Sequence, residues 1–304
     1  MKIAFIGVGS MGSAIVPHLV AHGHKVSAWA RRAGAVAALG SVEPLISPSD
    51  AFTGHDVVIT MLADDAAVRS VLLDSGALMS ATGDVVHIVM STISPALVAE
   101  MQPLHREAGV GYVAAPVFGV PAVAARAELN ILAAGADAAV QRVQPIFDAI
   151  GRKTWRLGED PVRANIAKIA GNMMITMAIE SMAEAGTLTE SYGLPAADFL
   201  EVVTQTLFAC PSYQRYGKNI SQRRYEPGFR LALGLKDAIL AGDAAADRSV
   251  SLPGAAVVRN RLQEAARMGW ADKDWSALAE VGHSESADAQ PQTAASSVSS
   301  SGAP

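Results

Sequence analysis

Gly7, Gly9 and Gly12 form a GxGxxG loop in GVGSMG, directly after the apolar run KIAFI and ahead of a segment with helical period. In that setting Gly7 turns the chain tightly, Gly9 lets the backbone approach a pyrophosphate and Gly12 lets the helix pack close to the strand. Ser10 and Met11 fall in the first helical turn, where unpaired N–H groups and the positive end of the helix dipole face an anion. The chemistry implied is binding of a dinucleotide. About 20 residues further on, a site for an unmodified ribose carries an Asp or Glu. This chain instead reads Trp29-Ala30-Arg31-Arg32. Two guanidiniums suit a 2′-phosphate, through charge-assisted and often bidentate hydrogen bonds. The cofactor expected is NADP, with NADPH preferred over NADH; the alternative is that both arginines are solvated residues at a helix start.

Lys168 is the only charged residue between Arg163 and Glu180, in a segment apolar almost all round. Burying an ammonium is costly and depresses its pKa, so a lysine enclosed there implies a use. A lysine at a helix edge would instead carry its charge to solvent along its stem. The residues alone leave both readings open. Asn172 lies four positions on, hence on the same helical face, where it could hold a substrate oxygen or orient the ammonium.

The elements that must position these groups divide the chain in two. Up to about Trp155 the runs KIAFIG, KVSAWA, DVVITML, DVVHIVMS, VGYVAAPV, LNILAAG and RKTWRL read as strands. They alternate with helical segments at 10–22, 32–39, 64–73, 95–108 and 137–149, a pattern of α/β class with a Rossmann-type, mostly parallel sheet. After Gly158 only helical segments remain, at 161–191, 195–206, 229–247 and 253–268. Residues 1–160 are expected to form the NADP-binding domain and 161–282 an all-helical domain for substrate and dimerisation. The Ser/Ala/Gln-rich residues 283–304 read as a disordered tail. An apolar helix over 161–191 needs neighbours on several sides, which points to an interdomain or intersubunit helix, and a homodimer is expected.

Composition narrows the function classes. The 304 residues are 50% hydrophobic and 17% charged, enough to bury a core, which excludes a disordered or fibrous chain. A net charge of −5 lacks the electrostatic footprint of a nucleic-acid or anionic-membrane binder. Met1-Lys2 precedes an apolar stretch, but Gly7, Gly9, Gly12 and Pro17 interrupt it before a leader's apolar region develops. No uncharged apolar stretch reaches the roughly 20 residues that span a bilayer. Cys210 is the single cysteine, so intramolecular disulfides, CxxC pairs and Cys-rich zinc sites are excluded and a reducing cytoplasm fits. His22 and His24 lack a third clustered metal ligand, and His87 reads as a core residue within a strand. Cys210-Pro211 reads as loop without a nucleophile's surroundings. Tyr213, Tyr216 and Tyr225 fit either a substrate cleft or packing.

The motifs GVGSMGSAI, MLADDAAV, MSTISP at 90–95, AAPVFG at 115–119, Lys168 with Asn172, and GLKDAILA at 234–241 together resemble the β-hydroxyacid dehydrogenase family. That family includes 3-hydroxyisobutyrate dehydrogenases and tartronate semialdehyde reductases, and the likeness covers about residues 1–280. It implies hydride transfer between a nicotinamide and a carbinol carbon, with Lys168 as general acid/base. It also implies that Leu62, Ala63 and Thr92 lie against the cofactor and that Lys236 closes over it, while Asp237 pairs locally. The family usually reads Ser-Gly-Gly, to bind the substrate carboxylate, where this chain has Phe118-Gly119-Val120. Two consequences are open: backbone N–H groups and Asn172 hold the carboxylate, or the substrate is bulkier and less polar, as for the related imine reductases. Those enzymes typically have another residue in place of the lysine. A non-catalytic NADP-binding scaffold is the remaining alternative, and a buried ammonium speaks against it.

Overall fold

The computed structural model describes residues 1–32 and 34–282. The β-branched runs become a nine-stranded sheet: β1 (Lys2–Ile6), β2 (Lys25–Trp29), β3 (Glu43–Pro44), β4 (Val57–Thr60), β5 (Val86–Val89), β6 (Gly111–Ala114), β7 (Val117–Phe118), β8 (Leu129–Gly135) and β9 (Gly151–Arg156). The order β3-β2-β1-β4-β5-β6 is parallel throughout. β8 then joins β6 antiparallel, with β7 antiparallel and β9 parallel to β8. β4 and β5 are buried on both faces, so they read as unbroken apolar runs rather than alternating ones.

The period-two alternation of β1 shows how the two layers are made. Ile3 and Phe5 pack with Ile15, Val16 and Leu19 of α1 (Ser10–Ala21) and with Val140 and Val143 of α5 (Asp137–Ile150). Ala4 and Ile6 point the other way, into a core containing Phe52, Leu72 and, from α3 (Pro95–Glu107), Leu97 and Met101. The short α2 (Asp65–Val68) and α4 (Pro121–Ala124) follow β4 and β7.

The second layer contains a buried polar chain. His105 Nδ1 donates to Met101 O at 2.7 Å, which leaves its Nε2 to accept from His87 Nδ1 at 2.8 Å. His87 Nε2 in turn accepts from Thr60 Oγ1 at 2.7 Å. Every ring nitrogen is satisfied only while both imidazoles are neutral. Burial accordingly pushes the His87 pKa well below its ordinary value and that of His105 down to about 4.

Beyond the sheet come α6 (Val162–Ser191), α7 (Ala196–Gln205), α8 (Pro211–Ser221), α9 (Leu231–Ala246) and α10 (Pro253–Ala265). The 30 residues of α6 run about 45 Å. Its first turn packs Ala164 against Ala114, Leu132 and Ala134 of the sheet. Its second half packs Ile179 and Met182 among Leu200, Tyr216, Leu231, Leu262 and Trp275. One helix therefore bridges the sheet and the helical half.

Several expectations need correction. Among the described residues of 32–39 only a 3₁₀ turn forms, at Ala37–Leu39, because Gly34 and Gly40 adopt φ of +82° and +72°, outside the helical region. The helical segments at 64–73 and 253–268 change to π geometry after Val68 and Ala265. Pro211 does not lie in a loop but is the first residue of α8, where proline's missing N–H costs nothing, and Cys210 is the extended N-cap residue that leads into it. Of the two readings left open for Tyr213, Tyr216 and Tyr225, packing is the one seen: they lie in the helical core, with Tyr225 Oη donating to Glu280 at 2.6 Å. The α6 segment does have neighbours on several sides, in the sheet and in the helical half, while Ile166, Met174 and Met177 remain exposed. The tail assigned to 283–304 lies outside the described residues.

Candidate functional site

The glycine loop is shaped by what a side chain would strike. At Gly7, with φ of +106°, a Cβ would meet Met61 O at 2.2 Å. At Gly12 it would meet Gly7 O at 2.3 Å and Phe5 Cε1 at 2.9 Å, so the helix start presses on the turn it leaves. At Gly9 nothing lies within 4 Å, and the backbone there faces open space. Gly9 is also the N-cap of α1 without a side-chain cap, so N–H groups of the first turn are available to an anion. This cradle fits the pyrophosphate of a dinucleotide. Ser10 is exposed at the helix mouth, whereas Met11 is partly buried against the core. Arg31 and Arg32 are exposed just past β2 and form no ion pair with a described residue.

Two further loops stand at carboxyl ends of strands on the same edge, the region where open α/β sheets bind ligands. After β4, Leu62 N donates to Ser91 Oγ at 2.7 Å, tying the Leu62-Ala63 loop to the one after β5. Asp64 caps α2, and Asp65 accepts from Ser94 N at 2.9 Å, which doubles the tie. Ser91, Asp64 and Asp65 were not singled out from the sequence, although the Asp pair ahead of a helical segment is a capping signal.

Lys168, Asn165 and Asn172 share one face of α6, which turns toward these loops. Asn165, fully buried, accepts from Ile93 N at 3.3 Å, and its Nδ2 has no partner. Lys168 is only 8% exposed. Its Nζ donates to Asn172 Oδ1 at 3.0 Å, and Asn172 Nδ2 donates to Asp237 Oδ2 at 2.5 Å. Lys236 Nζ lies 2.9 Å from Asp237 Oδ1 and donates to Thr92 O at 2.6 Å. The Lys236–Asp237 contact is an ion pair without hydrogen-bond alignment, so Asp237 Oδ1 has no donor aimed at it. One polar chain thus joins the buried amine of α6, through α9, to the loop after β5.

Burial brings the Lys168 pKa down to about 8; Asp237 opposes that shift and Lys236 adds to it. An amine titrating near neutrality can both give and take a proton. Over the amine stands Phe118, its ring centroid 4.7 Å from Nζ. Gly119 follows with φ of +145°, backed by Leu129 and Val123, and Val120 is buried.

Of the residues singled out from the sequence, Lys168, Asn172, Thr92 and Lys236 are brought together in one connected cluster, and the glycine loop stands at a helix mouth. The sequence reading missed Asn165 and the central position of Asp237, whose partners lie 72 and 65 residues away in the chain. Elsewhere, His22 Nδ1 donates to His18 O at 2.8 Å, and Cys210 is exposed.

Comparison with known proteins agrees with this architecture. Residues 2–158 match the NAD binding domain of 6-phosphogluconate dehydrogenase, and residues 163–281 the NAD-binding domain of NADP-dependent 3-hydroxyisobutyrate dehydrogenase. An uncharacterized oxidoreductase of Bacillus subtilis, YfjR, is 36% identical, over 91% of this chain and 98% of its own length. The 2-hydroxy-3-oxopropionate reductase of Escherichia coli is 26% identical, over 92% of this chain and 97% of that one. The structure of Mycobacterium tuberculosis 3-hydroxyisobutyrate dehydrogenase with L-serine superposes with a TM-score of 0.84 at 29% identity, covering 92% of this chain and 98% of the other. The sheet, its glycine cradle, the appended helices and these matches together make the chain a member of the β-hydroxyacid dehydrogenase family and an NAD(P)-dependent oxidoreductase of the type acting on CH–OH groups.

Proposed function

We propose that the protein is an NADPH-dependent reductase of a small aldehyde or keto acid, run in reverse as a dehydrogenase of the matching β-hydroxy acid or alcohol, with Lys168 as general acid/base. The observation that carries this reading is the buried Lys168 amine, held by Asn172 and connected through Asp237 and Lys236 to the loop after β5. When bound, the nicotinamide supplies the hydride in reduction and accepts it in oxidation. Residues 1–160 hold the cofactor: the N–H groups beside Gly9 and Ser10 take the pyrophosphate, Leu62, Ala63 and Thr92 flank it, and Arg31 and Arg32 take the 2′-phosphate. Residues 161–282 supply the proton chemistry. In reduction Lys168 Nζ donates its proton to the substrate oxygen; in oxidation the neutral amine takes one from the hydroxyl. Asn172 fixes the amine by accepting one of its N–H groups, and Asp237 fixes the amide. The tie between Lys236 and Thr92 holds the helical half against the cofactor edge and helps to exclude water from the amine.

A screen of aldehydes, keto acids and cyclic imines with NADPH and NADH tests this reading. Carbonyl turnover with kcat/KM at least tenfold higher for NADPH is expected, and replacing both arginines by alanine should remove the preference. Equal use of both cofactors would defeat the role given to the arginines. Turnover of imines alone would defeat the carbonyl assignment. We also propose a homodimer through the helical half, supported by the exposed apolar side chains of Met174 and Met177 on α6, Ile239 on α9 and Val257 on α10. A monomer by light scattering would reject it. Among the described residues no helix is long and apolar enough to cross a membrane.

A further inference from the structure

Phe118 ends β7 half-buried, packed with Leu157 and Ala167 where the sheet meets α6. Its ring covers one side of the Lys168 amine at 4.7 Å. The ring fits there because position 171, on the same stretch of α6, is glycine: a Cβ at Gly171 would stand 2.2 Å from Phe118 Cζ and 2.7 Å from Cε1. The residues at 118 and 171 are therefore a matched pair, and neither brings a side-chain hydrogen-bond donor. The floor beside them is also carbon, with Val120 buried and Leu129 and Val123 behind Gly119. An aromatic face carries negative charge density, which favours an adjacent ammonium and disfavours a carboxylate in the same place.

We infer that Phe118, seated on Gly171, is the specificity-determining residue of this site, and that it selects carbonyl substrates whose body beside the reacting carbon is a plain alkyl or aryl group rather than a carboxylate or a group that carries one. This rests on the oxidoreductase reading above and narrows its substrate. The ring forms the apolar wall against which that group packs, while Lys168 serves the oxygen.

The test uses the full-length protein with NADPH and four substrates: isobutyraldehyde, phenylacetaldehyde, glyoxylate and succinic semialdehyde. The wild type is expected to show kcat/KM at least tenfold higher for the two apolar aldehydes, with most of the difference in KM. Phe118→Ser is expected to reverse the order by raising kcat/KM for the two carboxylates and lowering it for the apolar pair. Phe118→Leu keeps the bulk and the preference but loses the π face, so the Lys168 titration, followed by NMR at the ε-carbon, is expected to fall by about half a pH unit. A wild type that prefers the carboxylates, or a Phe118→Ser protein that changes both classes by one factor, overturns the proposal. If the serine variant fails to fold, the wild-type preference and the leucine titration decide. Turnover of none of the four with NADPH overturns the carbonyl reading as well, an outcome distinct from brisk turnover of glyoxylate alone, which sinks only the role of Phe118.

Discussion

Replacing Asp237 by asparagine keeps the shape of the buried chain and deletes its negative charge, so it isolates what that carboxylate does for Lys168. The amide of Asn172 stands between them, 3.0 Å from the amine and 2.5 Å from the carboxylate oxygen. The two charges are then about 7 Å apart. At an effective dielectric of about 20 their attraction is about 2 kcal/mol, equivalent to about 1.5 pH units in the amine. Lys168, at about 8 with the carboxylate present, is expected to titrate near about 6.5 without it. The sign follows from the direction of the reaction. Reduction needs the ammonium, so its rate falls as pH rises through the midpoint; oxidation needs the amine and rises. At pH 7.5 Asp237→Asn should therefore slow reduction roughly eightfold and speed oxidation roughly fourfold, and the reduction deficit should vanish by about pH 5.5. The assay is kcat/KM from pH 5.5 to 9 in both directions, with the aldehyde and alcohol pair turned over fastest in the screen. Equal losses in both directions with an unmoved pH limb would refute the coupling and leave Asp237 a packing residue.

Three other outcomes follow from the same geometry. Gly9→Ala meets nothing within 4 Å and should leave the Tm unchanged while weakening NADPH about tenfold or more, whereas Gly12→Ala strikes Gly7 O and Phe5 and should lower the Tm itself; calorimetry and cofactor titration separate the two. Lys168 has a folded-state pKa about 2.5 units below its free value of 10.5, so at pH 7 its charge destabilises the fold, a penalty relieved as pH rises through about 8 toward 10.5. Lys168→Met should then gain on the order of 2 to 3 kcal/mol at pH 7 and less at pH 10, read by urea unfolding, and an unstabilised variant would contradict the burial cost. The neutral imidazoles of His87 and His105 must gain protons on acidification, so stability should fall as pH drops from 6.5 through about 4. His105→Gln should flatten that acid limb, and an unchanged limb would argue against the pair.

How far the sequence could be read depended on the range of the interaction. The glycine loop was legible because its three glycines answer local demands: a turn, an open approach and a close helix contact, all within six residues. α6 was legible to within a residue because no proline falls between Val162 and Ser191 and its two glycines, Gly171 and Gly186, stand isolated among good helix formers. Segment 32–39 misled for the converse reason, since its alanines favour helix but the left-handed glycines at 34 and 40 turn the chain away. Pro211 misled because proline marks a helix start as readily as a break. Lys168 could be singled out as an isolated charge, but whether it was buried depended on β7 and α9, far away in sequence. Likewise, the aromatic at 118 stood out as a departure from Ser-Gly-Gly, while its seat on Gly171 and its contact with the amine needed coordinates.

The central assignment is that the Lys168 amine moves the proton that accompanies hydride transfer. The most direct measurement is kcat for Lys168→Met in both directions beside the NADPH dissociation constant of the same protein by fluorescence titration. A fall in kcat of about 10² to 10⁴-fold, with cofactor affinity within a few-fold of wild type, is the predicted result. A variant that keeps nearly full turnover, or one that loses NADPH in proportion to its activity, would contradict it.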